Sequence, residues 1–184
     1  MRGVLATIPA LALLAACGPA ASDIAKVVGS ENPVQREDGA KIAQNFDDPA
    51  VVEALVQVLD DPSEQVRLNA IESLAELEAG DAAGPRLTTL LAEDASPSVK
   101  RAAADALGRL LVLDAAPQIV AYVQAFGPDD RAQLAGVWAL GALGAKGLPA
   151  ESRTAAMQAL VTRRDATKDR YVRYNASAAL RTFR

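Results

Sequence analysis

The sequence repeats itself at intervals of about 33 residues, and this self-similarity limits the possible folds more than any other feature. Val66, Arg67, Ala70, Leu74 and Leu77 return 33 residues later as Val99, Lys100, Ala103, Leu107 and Leu110. Another step of 33 gives Ala132, Gln133, Gly136, Leu140 and Leu143, and a step of 40 gives Val172, Arg173, Ala176, Leu180 and Phe183. The longer last step places insertions near residues 145–149 and 164–168. Within each copy the slots fall at i, i+4, i+8 and i+11, which is one face of an α-helix. A single such helix cannot bury its own apolar face, so neighbouring copies must stack on it.

A second apolar helix precedes three of these, with slots at Leu55, Leu87 and Ile119 and again at Leu59, Leu91 and Val123. Each unit is therefore a helix pair. The turns within pairs carry capping and stopping residues: Asp60-Asp61-Pro62-Ser63, Asp94-Ala95-Ser96-Pro97 and Gly127-Pro128-Asp129, with Pro suited to a first helical turn and Ser or Asp to the cap. Gly80, Gly144 and Gly147 are expected to close the second helices, where left-handed backbone is often needed. An earlier, degraded unit is expected over residues 33–46, with Gln35, Arg36, Gly39, Ala43 and Phe46 in the slots. Half of the residues are apolar but only 4% are aromatic, Ala and Leu favour helix, and no stretch alternates long enough for a half-buried strand. The expected fold is all-α, with nine or ten antiparallel helices over residues 33–184.

The recurring Pro turn, Val-Arg or Val-Lys, small residue and Leu, seen in 62–77 and 97–110 and without the Pro in 171–183, resembles the HEAT family. It is closest to the short bacterial HEAT-like repeats also found in phycobilisome lyases. The resemblance covers roughly residues 33–184 and implies a right-handed α-α superhelix of four to five helix pairs. It also implies a ladder between neighbouring repeats, in which a turn acid, Asp61 or Asp94, meets the basic residue after Val: Arg67, Lys100 or Arg173. Gln133 departs from this pattern, so the ladder is expected to break there.

The first residues read as an export signal. Arg2 precedes a short apolar stretch from Val4 to Leu14, too short to span a bilayer. Leu14-Ala15-Ala16-Cys17 resembles the lipobox of bacterial lipoproteins, which implies cleavage before Cys17 and lipidation of its thiol. The other reading is an ordinary signal peptide cut near Ala20 or Ala21. The expected division is a signal over 1–16, a lipidated cysteine with a flexible spacer over 17–30, and the repeat domain over 31–184. A chain so processed is expected to be exported and lipid-anchored to the cell envelope. Gly18 after the cysteine points to the periplasmic face of the outer membrane in a two-membrane bacterium.

The chain has no histidine and one cysteine, which removes imidazole catalysis, Cys/His zinc sites and internal disulfides. From this we expect no enzymatic activity, no metal and no cofactor. The family contains enzymes, however, and a bilin-lyase-like or metal-dependent role is the alternative. The acidic pairs Asp47-Asp48, Asp60-Asp61 and Asp129-Asp130 lack calcium-loop spacing and read as helix caps. Gly141, Gly144 and Gly147 lack the strand and Lys-Ser or Lys-Thr of a phosphate loop. The net charge of −4 argues against a nucleic-acid partner.

That average hides two opposite halves: residues 17–94 carry 16 acidic and 5 basic side chains, and residues 99–184 carry 7 and 13. Either the surface charge drifts or the basic half meets an acidic partner. Trp138 occupies a slot that holds Glu72 and Asp105 in sister repeats, so it is expected at the surface. Arg131 and Leu134 share its stripe; Arg101, Asp105 and Arg109 flank it on one side, and Tyr171, Tyr174 and Arg181 on the other. Six of the seven aromatic residues follow residue 120, and Trp, Tyr and Arg dominate interface hot spots. The competing explanation is that Trp138 fills a gap left by Gly136. The function expected from these features is a membrane-tethered scaffold or adaptor that holds a protein or an anionic cell-wall polymer on this face.

Overall fold

In the computed structural model residues 20–183 are described, and they form ten α-helices joined by short turns with no strand among them. The helices are α1 (Ala21–Val28), α2 (Pro33–Ile42), α3 (Pro49–Gln57), α4 (Glu64–Glu76) and α5 (Gly80–Glu93). They continue as α6 (Pro97–Arg109), α7 (Ala116–Gln124), α8 (Leu134–Lys146), α9 (Ala150–Ala166) and α10 (Arg170–Leu180). Each odd-numbered helix packs on the even-numbered one that follows it. The odd helices also pack on one another in order, as do the even ones. The result is an α-α superhelix of five helix pairs in two layers, as the 33-residue period requires.

The periodic slots are the buried ones. Leu74, Leu107 and Leu140 of the even layer and Leu55, Leu87 and Ile119 of the odd layer are fully buried. Leu180 and Phe183 are only half-buried, because the fifth pair is followed by no further described pair. Local signals set the helix starts. The side chains of Asn32, Asp48, Ser96, Asp130 and Asp169 each accept a hydrogen bond from an N–H one to three residues ahead, and Pro33, Pro49 and Pro97 each open a helix.

Two expectations need correction. The segment read as a spacer through Ser30 contains α1, which makes the first helix pair with α2 and buries Ile24 and Val28 completely. It was hidden because it is only 8 residues long and lies outside the repeat's clear register. Gly80 does not end a helix but starts α5, and Gly144 lies inside α8 against the Phe183 ring. The left-handed residues after α4 and α6 are Glu78 and Leu111, at φ 52° and 55°. There Ala79 N–H donates to Leu74 O and Val112 N–H to Leu107 O, the bond that closes a Schellman turn. Gly147 does cap α8, at φ 105°.

Candidate functional site

The exposed face of the even layer can be laid out in rows by the repeat itself. One row runs Glu37, Leu68, Arg101, Leu134, Tyr174; the next Lys41, Glu72, Asp105, Trp138, Ala178; the third Asn45, Glu76, Arg109, Ala142, Thr182. Their backbone positions follow from α2, α4, α6, α8 and α10 lying side by side. The face changes character along the stack, from charged at the second pair to aromatic and small at the fourth and fifth.

At the charged end Arg109 reaches back one helix and donates to Glu72 Oε1 at 3.1 Å and Glu76 Oε1 at 2.5 Å. The Arg109 bond holds the Glu76 carboxyl below its ordinary value and raises the guanidinium in return. Arg109 is thus neutralised within the chain. At the other end Trp138 is 46% exposed and Tyr174 68%. One edge of the indole meets α6 at Gly108, where any side-chain atom would strike Trp138 and Ala139. The rest of Trp138 borders a pocket of about 260 Å³ between α8 and α10, floored by Gly141, Ala142, Ala178 and Ala179 and bounded by Thr182. The gap-filling explanation for Trp138 fails: Gly136 faces Tyr122 and Val123 on α7 instead.

The sequence reading grouped nine residues, and the structure divides them. Trp138, Leu134 and Tyr174 share the aromatic end of the face, and Arg101 is exposed beside them on α6. Asp105 stands half-buried between Glu72 and Trp138 in the central row, and Arg181 is exposed at the end of α10. Arg109 belongs to the glutamate cluster. Arg131 and Tyr171 are engaged elsewhere, at the turns joining the fourth and fifth pairs. Arg131 donates to Asp169 Oδ2 at 2.9 Å and lies 4.4 Å over the Tyr171 ring, so both are structural. The expectation of a continuous basic groove is corrected accordingly: two of its arginines are spent on internal acids. Cys17 lies outside the described residues.

The polar edge of the solenoid, where the turns line up, was only partly foreseen. Arg36 donates to Asp61 and Arg67 to Asp94, each through two guanidinium nitrogens. Burial pushes the Asp61 carboxyl up, but hydrogen bonds from Arg36 and the Ser63 N–H, with the charges of Arg36 and Arg67, outweigh that and leave it lowered. Arg36 was not expected to belong to the ladder; its place one residue after Gln35 in the degraded first copy was the available signal. The interruption begins one rung earlier than expected, at Lys100. Its counterpart acid is replaced by Gly127, 33 residues beyond Asp94. Gln133, fully buried, instead donates to the carbonyls of Gly127, Pro128 and Asp130. Between the fourth and fifth pairs Asp129 takes over, accepting from Thr167 Oγ1 and from the N–H groups of Lys168 and Asp169. The acidic pairs read as caps largely act so: Asp48 and Asp130 cap helices, Asp61 and Asp129 lock turns together, and Asp60 pairs with Arg86. Among the described residues no group of three carboxylate or thiol side chains is gathered as a metal site would require.

No described helix is long and apolar enough to cross a membrane. A comparison with curated proteins finds no match. Among solved structures, the complex of CpcE and CpcF of phycocyanin lyase from Nostoc sp. PCC7120 is similar, with a TM-score of 0.60 and 22% identity, over 96% of this chain and 80% of the other. This likeness concerns the fold, yet it corrects the expectation of no enzymatic activity. That expectation rested on the missing histidine, and the same architecture is found in a lyase. Two matches to HEAT repeats, over residues 21–108 and 84–181, together take in all ten helices. The chain therefore belongs to the HEAT-repeat family.

Proposed function

We propose that this chain is a protein-binding HEAT-repeat subunit that holds an acidic partner against the aromatic end of its even-helix face. The observation that carries the reading is Trp138. It stands 46% exposed in a slot that its sister repeats fill with Glu72 and Asp105, beside an apolar pocket that nothing in the described chain fills. Arg101, Tyr174 and Arg181 surround it with exposed groups able to meet acidic and apolar atoms. A photo-crosslinker placed at Tyr174 should capture the partner in cells, whereas one at exposed Val34 on α2 should not. Trp138→Ala combined with Tyr174→Ala should lower capture by roughly tenfold or more with the helical circular dichroism unchanged. Equal capture at both positions would remove this face from consideration.

A second reading is supported by the fold match over nearly the whole chain to a two-subunit lyase: the held protein is modified, and this chain is one subunit of the modifying assembly. Incubation with a linear tetrapyrrole and the captured partner, followed by visible absorption of the denatured partner, tests it directly. Covalent colour on the partner is the expected result of this reading.

We also propose export and acylation at Cys17, supported by Leu14-Ala15-Ala16-Cys17. Because α1 begins at Ala21, the linker would be Gly18 to Ala20 alone, a reach of about 14 Å. The first helix pair would then lie at the membrane surface. Cys17→Ser should abolish labelling by radioactive fatty acid and release the chain from membranes; persistent labelling would place the lipid elsewhere.

A further inference from the structure

The turns along the polar edge follow one rule with one exception. In four of the five even helices the residue after the first periodic slot bonds the carbonyl six positions back. Arg36 bonds Ser30 O, Arg67 bonds Asp61 O, Gln133 bonds Gly127 O and Arg173 bonds Thr167 O. Lys100 does not; its ammonium donates instead to Ala92 O at 2.8 Å, on the preceding helix. The cross-turn lock is missing at the same place. The first two intervals have Arg36–Asp61 and Arg67–Asp94, and the fourth has Asp129 bound to the 167–169 turn. In the third the basic residue remains while its acid has become Gly127. Among the described residues no carboxylate lies within ion-pair distance of Lys100, and residues 1–19 contain no Asp or Glu.

Where that rung is absent, a cleft of about 520 Å³ opens between the 94–97 turn and α7. Lys100 lies on one side, and Gln118, Tyr122 and Phe126 form the other. Gln118 Oε1 is buried there without a hydrogen-bond partner among the described residues. Asp94 also borders the cleft, but its two oxygens are taken by Arg67 and the Ser96 N–H. The cleft thus offers a cation, a vacant acceptor and an aromatic wall.

We propose that this cleft binds an acidic side chain of a protein partner, whose carboxylate completes through Lys100 the rung that the chain itself lacks. A peptide suits all three features. Its carboxylate pairs with the ammonium, a peptide N–H donates to Gln118 Oε1, and a neighbouring apolar side chain packs on Tyr122 and Phe126. The site goes beyond the reading given above, since none of its residues belongs to the Trp138 rows. Failure at one leaves the other standing.

Gly127 makes a sharp test possible. A side chain at this position meets no atom within 4 Å and the residue has no positive φ, so Gly127→Asp can restore the internal acid without a clash. The probes are acetyl-Phe-Glu-Ala-amide, its Gln counterpart and sodium acetate, titrated into the full chain while amide resonances are followed by two-dimensional NMR. The Glu peptide should move Lys100, Gln118 and Phe126 saturably and bind roughly tenfold tighter than the Gln peptide, the gain expected of one charge-assisted contact. Both Gly127→Asp and Lys100→Met should abolish that difference. Lys100→Met keeps the test valid should Gly127→Asp misfold. Equal binding of the Glu and Gln peptides, retained binding by both variants, or the same shifts from acetate at equal concentration would overturn the proposal. So would the absence of any shift at these residues with the parent chain.

Discussion

Asp129 caps a turn that begins 38 residues later at Thr167: its Oδ1 accepts from the Thr167 hydroxyl at 2.8 Å and from the Lys168 N–H at 2.5 Å. The Lys168 N–H, then the Thr167 hydroxyl and the Asp169 N–H, hold the Asp129 carboxyl below its ordinary value of 3.8. Asp169, bound by Arg131 and by the amides of Val172 and Tyr171, is lowered as well. Carboxyls lowered by folding contribute stability above their unfolded value, and lose it as pH falls through the folded one. The fifth helix pair should therefore loosen below about pH 4, with α10 amides exchanging faster there while α4 to α6 stay protected. Asp129→Asn keeps an acceptor but cannot titrate. It should weaken the pair at neutral pH and flatten the acid dependence. Unchanged α10 exchange between pH 5 and pH 3 would count against this lock.

Gly108 shows how closely the even helices approach. A Cβ at this position would lie 2.7 Å from the backbone of Ala139 on α8, which cannot move aside as a flexible side chain can. Gly108→Ala should destabilise by about 1–3 kcal/mol despite its better helix propensity, seen as a lower urea midpoint. Leu107→Ala, one residue away and fully buried, should cost about 2–5 kcal/mol by leaving a cavity. A neutral Gly108→Ala would mean that α6 and α8 are farther apart.

Most of the fold was legible because burial repeats: the same periodic slots that define the 33-residue register are the buried core of α4, α6 and α8. What escaped has specific physical causes. α1 is too short to show a helical period, and its buried Ile24 and Val28 have no counterpart at the repeat's spacing. Exposure of Trp138 was readable from its sister slots, since Glu72 and Asp105 need solvent. The employment of Arg109 and Arg131 was not, because each pairs with an acid 33 to 38 residues away and charge counts do not reveal partners. The vacancy opposite Lys100 was present in the alignment as Gly127. It gained meaning only when the neighbouring rungs were seen to be made.

Helix ends supply a prediction in the stabilising direction. Glu78 is exposed and sits at φ 52° after α4, where a side chain is disfavoured by about 1–2 kcal/mol. Glu78→Gly removes that strain and adds unfolded-state freedom, for a net gain of about 0.5–1 kcal/mol. The melting temperature should rise by a few degrees. A fall would show that Glu78 makes contacts worth more than the strain it bears.

The ladder yields the last prediction, from two residues at equivalent positions. Arg67 is 14% exposed and its partner Asp94 6%, and Arg67 also holds the Asp61 and Pro62 carbonyls. Arg67→Met strands a buried carboxylate and leaves those carbonyls without their donor, so it should cost about 3 kcal/mol or somewhat more. Adding Asp94→Asn removes the stranded charge and should recover part of the loss. Lys100→Met one repeat later breaks only the bond to Ala92 O and strands no acid, so its cost should be within about 1 kcal/mol. Urea unfolding of the three variants separates the cases. If Arg67→Met and Lys100→Met prove equally damaging, the Arg67–Asp94 rung is not what joins the second pair to the third.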